Sequence, residues 1–374
     1  MINNNTGNNA AKNLVKDKNF DSIREKVYSN RRLSIDDALF LFESYDLIAL
    51  GELANFKNSQ INGKIVYYVA NIHINYTNLC VNRCAFCAFY RKGKETDAYT
   101  MNTYEIIGYI KTNCKANNLK EVHIVGGLHP SLPYNFYADM IYRIKKEFPG
   151  LLIQAFTAVE IDYLSKISGL SLNEVLSDLK DRGLDSLPGG GAEIFSPAIR
   201  RRLCPQKISG ERWIQIHKIA HNLGIPSNAS ILYGVQESYR DRVNHLNAIR
   251  NAQDESNGFK SFIPFAFQPK NTAVKNSNLT SGYDDLKVIA VSRLFLDNFK
   301  HIKTFFVNLG INLAQVSLSF GADDFDGTLI EEKISHNAGS ANPAGLSVKS
   351  VRKIIEEAGK IPTERDTLYN AVFS

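Results

Sequence analysis

The stretch "KIVYYVANIHINYT" (64–77) is dense in β-branched and aromatic residues. It ends with Ile72 and Ile74 alternating with His73 and Asn75, the pattern of a strand. Two residues later comes "CVNRCAFC" (80–87), which sets Cys80, Cys84 and Cys87 in C-x3-C-x2-C spacing. A strand that delivers three thiols at its C-terminal end marks the start of a strand–helix unit with chemistry at its tip.

Further apolar runs read as strands: "EVHIV" (121–125), "LLIQAFT" (151–157), "LDSLPGGG" (184–191), "PSNASILYG" (226–234), "SFIPFAF" (261–267), "IKTFFVN" (302–308) and "AQVSLSFGA" (314–322). Helical patterns cover 135–147, 171–182, parts of 196–223, the segment up to about 254, and part of 284–299. Eight strands separated by helices call for parallel pairing with right-handed crossovers. This predicts a (β/α)8 TIM-type barrel, with a doubly wound open sheet as the alternative. A barrel carries its reactive groups at the C-terminal ends of its strands. Cys80 to Cys87 follow the first strand, Gly126-Gly127 the second, Gly189 to Glu193 the fourth, and Gly321 to Thr328 the last. Ser34 opens a capping-box-like turn, and Ile35, Ala38, Leu39 and Phe42 follow at helical spacing. The expected organisation is a polar, disordered tail over 1–18, an N-terminal helical extension over 19–63, the barrel over 64–340, and a C-terminal helical segment over 341–374. The last helices are expected at 328–337, 347–359 and 363–371.

The 374 residues are 44% hydrophobic and 22% charged, which is ordinary globular composition. No run of 18 apolar residues is present, so membrane insertion is not expected. The Asn- and Lys-rich first 18 residues lack the apolar region of a secretory signal, which points to the cytoplasm. The net charge of +6 is spread along the chain, and Arg200-Arg201-Arg202 is too short a run for a nucleic-acid groove. Five cysteines, an odd number, argue against a disulfide framework. Cys114 and Cys204 are isolated in the sequence.

Three clustered thiols fit several readings. Structural zinc needs four protein ligands, and no fourth lies nearby; chance clustering is the bland alternative. A thiolate-bound iron–sulfur cluster suits three cysteines better. A 4Fe–4S cube held by three leaves one iron open. His217 and His221 stand four apart, as in zinc helices, but a helix on the outside of the barrel makes them structural.

"CVNRCAFCAFYR" resembles the cluster loop of the radical S-adenosylmethionine (SAM) superfamily, including the aromatic Phe86 before the last cysteine. The resemblance covers roughly residues 30 to 370. "VGGLHP" (125–130), "PGGGAEIF" (188–195) and "FGADDFDGT" (320–328) are similar to the menaquinone-pathway branch, which holds aminofutalosine synthase and dehypoxanthine futalosine cyclase. "GGLHP", "GAEIF" and "FDGTLIEEKI" look most like the synthases; the deazaflavin-chromophore enzymes are related. The resemblance implies a 4Fe–4S cluster on Cys80, Cys84 and Cys87, with SAM as co-substrate on the open iron. It implies SAM contacts at Phe86, Gly126, Gly127 and Glu193. It also implies a small aromatic dicarboxylate substrate and a reducing donor such as flavodoxin or ferredoxin. Two carboxylates call for cationic partners near the mouth, with Arg91 and His73 as the candidates; Asp324, which could shape the mouth, is a further substrate-binding candidate. Within the branch, the alternatives are the cyclase and the deazaflavin-type chemistry. Outside it, the alternative is an iron–sulfur electron carrier, for which four cysteines and a smaller chain are the norm.

Overall fold

The computed structural model describes residues 19–275 and 277–372. The tail over 1–18 lies outside them. Helices over 19–28, Ile35–Glu43 and Leu47–Asn62 precede the sheet. Ser34 caps the second through a full capping box, accepting from the Asp37 N–H at 3.1 Å and donating its own N–H to Asp37 at 2.8 Å.

The wall begins with β1 (Ile65–Val69) and β2 (Asn71–Ile74), two halves of one run broken at Ala70. It continues through β3 (Glu121–Ile124), β4 (Leu152–Ala155), β5 (Ser227–Tyr233), β6 (Phe259–Ala266), β7 (His301–Ile302) and β8 (Asp324–Gly327). Every ladder is parallel. Single bridges join the remaining gaps: Gln154 to Ser186, Leu187 to Ser227, and Lys303 to Asp324. Because β8 pairs β1 while β2 pairs β3, the sheet closes into a ring of eight stations. Ser186 and Leu187 form the fourth. Helices such as Tyr134–Glu147 and Tyr239–Ser256 make the crossovers and cover the outside. The barrel expectation holds, and the open-sheet alternative does not.

Several local expectations are corrected. In place of the strand expected over 302–308, only His301–Ile302 is a strand, and Phe306–Leu309 is helical. The segment 314–322 is not a strand; helix Ile311–Ser317 occupies it, burying Ala314 and Ser317 at i, i+3 spacing. The eighth strand is instead Asp324–Gly327, inside the segment read as a loop. Asp is a poor strand former in isolation, but here tertiary ion pairs satisfy its carboxylates and override propensity. The final helix expected over 363–371 is replaced by β9 (Ile361–Glu364), which pairs parallel with β1. Of the helix expected over 328–337, only Ile334–Asn337 is helical, whereas Val348–Glu357 matches the one expected over 347–359. A helix at Ala158–Ser168 went unread, although Thr157 and Glu160 form its capping box.

The last described residues fold under the barrel. Arg365 Nε donates to Asp324 at 2.6 Å, the Tyr369 hydroxyl donates to the same carboxylate at 2.6 Å, and Thr367 donates to Glu121 at 2.8 Å. Tyr369 stacks on His301, ring centroids 3.9 Å apart. These contacts commit the charged groups at the N-terminal ends of the strands and close the barrel from below. Other polar residues of the wall are satisfied in place: Gln154 donates to Ser186 at 2.8 Å, and Ser230 to the Gly189 carbonyl at 2.6 Å. His217 and His221 both bond the Ser227 hydroxyl, at 2.8 and 2.7 Å, so they are structural as expected. Among the described residues no helix is long and apolar enough to cross a membrane.

Candidate functional site

The segment after β2 is irregular, so its backbone groups need partners from elsewhere. The Tyr99 hydroxyl donates to the Asn75 carbonyl at 2.7 Å, and Thr77 Oγ donates to the Tyr99 carbonyl at 2.8 Å. The three-cysteine loop is then tied on four sides. Cys80 N–H reaches the Arg91 carbonyl (3.1 Å), Val81 N–H that of Leu128 (3.1 Å), and Ala85 N–H that of Leu203 (2.7 Å), while the Ala85 carbonyl accepts from Ala273 (2.9 Å). Arg83 takes the left-handed conformation, φ +47°, at the turn between the first two cysteines. The loop therefore sits over the C-terminal ends of the strands, held by the segment after β3, by helix Pro197–Leu203 and by the segment after β6.

Cys84 is buried, and Cys80 and Cys87 are half-buried. Burial pushes the Cys84 thiol up to about 12 and raises that of Cys87. Opposing this, Lys207 favours both thiolates, and the backbone N–H groups of Tyr90 and Phe89 favour that of Cys87. Cys84 and Cys87, raised by burial with a lysine and, at Cys87, two N–H donors beside them, suit a centre that takes them as thiolates. Among the described residues no three Cys, His, Asp or Glu converge closely enough to hold a single metal ion. A thiolate-held cluster takes one thiolate per iron, and three thiols on one loop are donors of that kind.

Lys207 draws the expected residues together. Its ammonium pairs with Glu193 and lies 5.0 Å from the centre of the Phe86 ring. Glu193 is itself strained, at φ +50°, and its carbonyl accepts from Leu232 of β5 at 2.8 Å. Cys84, Cys87, Phe86 and Glu193 thus share one cation. Sequence reasoning missed Lys207, which has no motif of its own. Cys204, read as isolated, is also near enough to affect the Cys84 thiol.

Gly126 and Gly127 lie under the loop. A Cβ on Gly127 would stand 2.2 Å from the Leu79 carbonyl oxygen and 3.0 Å from Cys80 Cβ; one on Gly126 would meet the Tyr76 ring at 2.6 Å. The Gly127 N–H is taken by the Thr77 carbonyl (2.9 Å) and that of Gly126 by Glu160 (3.1 Å). Glu160 is a second missed residue. Its buried carboxylate also accepts from the Tyr76 hydroxyl at 2.9 Å and from the Thr157 N–H and hydroxyl at 2.8 Å each. The capping-box spacing Thr157-x-x-Glu160 was its available signal.

The remaining candidates separate. His73 faces into the barrel and stacks on His123, centroids 4.5 Å apart. Arg91 does not join it: its guanidinium grips Asp97 at 2.5 and 2.7 Å and the carbonyls of Ala88, Phe89 and Tyr90, bracing the loop. Asp324 is fully buried at the base with Arg365, whereas Asp326, paired with Lys303 at 2.7 Å, is one of the acids that face His73. Of the basic run, Arg200 is buried and bonds the Ala192 carbonyl at 2.6 Å.

Known proteins share this architecture. The chain matches the radical SAM superfamily over residues 74–249 and the CofH/MqnC C-terminal region over 256–372. It is 44% identical over 362 residues to the aminodeoxyfutalosine synthase of Thermus thermophilus, covering 96% of this chain and 97% of that one. It is 40% identical over 318 residues to the 5-amino-6-(D-ribitylamino)uracil–L-tyrosine 4-hydroxyphenyl transferase of Methanopyrus kandleri, 84% of this chain and 86% of that one. The crystal structure of methylornithine synthase superposes with TM-score 0.72 at 20% identity, over 91% of this chain and 97% of that one, which bears on the fold alone. The closed barrel, the loop over its mouth and these matches make the chain a member of the radical SAM superfamily, an enzyme family built on a 4Fe–4S cluster and S-adenosylmethionine.

Proposed function

We propose that the chain adds the 5′-deoxyadenosyl group of SAM to the enol double bond of 3-[(1-carboxyvinyl)oxy]benzoate, giving 6-amino-6-deoxyfutalosine, methionine and bicarbonate for menaquinone biosynthesis. The observation that carries this reading is the 44% identity across 97% of the relative named aminodeoxyfutalosine synthase.

Cys80, Cys84 and Cys87 are assigned as the three thiolate ligands, with one iron left for SAM. When bound, the cluster and SAM supply a 5′-deoxyadenosyl radical by one-electron cleavage of the C5′–S bond. Lys207 offsets thiolate charge at Cys84 and Cys87 and fixes Glu193 beside Phe86. Glu193 and the carbonyls of Gly126 and Gly127 are assigned to SAM. Glu160 positions that turn by holding the Gly126 N–H. The barrel below receives the aromatic dicarboxylate and keeps water from the radical. A flavodoxin- or ferredoxin-like donor in the cytoplasm completes the electron supply.

The test is anaerobic incubation of the reconstituted protein with reductant, SAM and the enolpyruvyl benzoate. The expected product contains both adenine and the aromatic ring. Free 5′-deoxyadenosine as the sole nucleoside would sink this reading and favour the cyclase. A second expectation is that Cys84→Ala loses both cluster absorbance and SAM cleavage; full retention of either overturns the cluster assignment.

A further inference from the structure

One polar layer crosses the barrel above its closed base. His73, His123 and Gln154 stand side by side in register on β2, β3 and β4, and Gln154 bonds Ser186 of the fourth station. Lys303, just after β7, completes the far side with Asp326 of β8. His73 is 8% exposed, and its Nε2 is buried without a hydrogen-bond partner among the described residues. A buried imidazole nitrogen left unpaired costs free energy, so it points to a ligand. His123 beside it is half-buried.

The charges around the two rings restrict that ligand. His73 is faced by Glu121 of β3, Asp326 of β8, Glu332 of the segment after β8, and the His123 ring; His123 is faced by Lys303. Burial is the main reason both imidazoles are neutral, at about 4 for His73 and about 3 for His123. In the lumen, Lys303 and Arg365 balance Asp326 and Asp324, and Glu121 remains as an extra acid. Among the described residues, both of these cations are already paired. An arriving carboxylate needs a counter-charge, and the imidazoles are the groups that can take a proton to supply it.

The proposed substrate carries two carboxylates, and the orientation follows from where its double bond must react. That bond belongs at the mouth, near the cysteine loop, so the carboxylate on the aromatic ring is the group directed inward. We propose that the stacked His73–His123 pair is the subsite for the ring carboxylate of the substrate and takes up a proton as that carboxylate binds. The proposal rests on the reading of the enzyme given above. Lys303 contributes N–H donors beyond the one committed to Asp326. The stacked rings share a single added proton, because two adjacent imidazolium ions repel each other.

The test uses the reconstituted holoenzyme and two probes, 3-methoxybenzoate and the neutral 3-methoxybenzamide, followed by titration calorimetry. In buffers of different ionisation enthalpy, the heat of binding of the acid should differ as expected for uptake of close to one proton. The amide should show no buffer dependence. Affinity for the acid should fall by about tenfold per pH unit above neutrality. His73→Phe keeps an aromatic ring against His123 but cannot take the proton; it should erase both the buffer dependence and the preference for acid over amide, and His123→Phe is the parallel variant. Buffer-independent heats for the acid, no binding of it, or a preference surviving both variants overturns the proposal. If the wild type binds the acid with proton uptake yet forms no adenine–aryl adduct, the assigned reaction fails while the subsite stands.

Discussion

Replacing Gly127 with alanine tests whether close packing under the cysteine loop sets the position of the cluster. The new methyl would lie 2.2 Å from the Leu79 carbonyl oxygen, where ordinary contact begins at 3.4 Å, so about 1.2 Å of movement is required. The obstacle is backbone and cannot rotate away. On one side Gly127 is tied to the Thr77 carbonyl at 2.9 Å, and on the other Val81 is tied to the Leu128 carbonyl at 3.1 Å. Relief therefore comes from breaking these bonds or from displacing Leu79 and Cys80. Overpacking of this kind costs about 1–3 kcal/mol of stability. The larger effect falls on function, because a displacement of about 1 Å at a reacting centre costs on the order of 100-fold in rate. The assay is anaerobic reconstitution, with iron and sulfide counted per chain and SAM cleavage followed as methionine released. Gly108→Ala is the control. It lies in helix Thr103–Asn117, where an added Cβ meets nothing within 4 Å, and it should gain about 0.5–1 kcal/mol. A Gly127→Ala protein with full iron content and SAM cleavage within about twofold of wild type would refute the reasoning, since it predicts a loss on the order of 100-fold.

Arg365→Met should cost about 3–5 kcal/mol in denaturant unfolding, because it strands the fully buried Asp324 carboxylate; a loss under about 1 kcal/mol contradicts the view of the C-terminal segment as a charged plug. Glu160→Gln places an NH2 group among donors that now share a carboxylate. It should raise the KM for SAM and lower stability by about 1–3 kcal/mol, and an unchanged KM argues that Glu160 does not position the glycine turn. His336 is raised from 6.5 to about 9, chiefly by its hydrogen bond to Glu332. A raised pKa gives stability that is fully present below 6.5 and lost as pH climbs through about 9, so the melting temperature should fall across that window in wild type and fall less in His336→Gln. Equal slopes for the two proteins would show that the pair contributes nothing.

The sequence by itself determined the features set by neighbours along the chain. Alternating strands and helices pointed to a barrel, though not to its eighth strand, Ser34-x-x-Asp37 marked a helix start, and the spacing of Cys80, Cys84 and Cys87 marked a loop after the first strand. Each depends on contacts within a few residues. Tertiary structure decided what depends on distant partners. "DFDG" (324–327) is acidic, which disfavours a strand, yet it forms one because Arg365 and Lys303 neutralise its carboxylates inside the ring. Lys207 carries no motif, and only the fold sets it between Glu193 and Phe86. His73 alternates with buried isoleucines in the sequence, but its stacking partner His123 lies 50 residues on, across a parallel ladder. Charge and hydrogen-bonding capacity are visible in a sequence. Which partner satisfies them is settled when the barrel closes and brings strands far apart in the chain side by side.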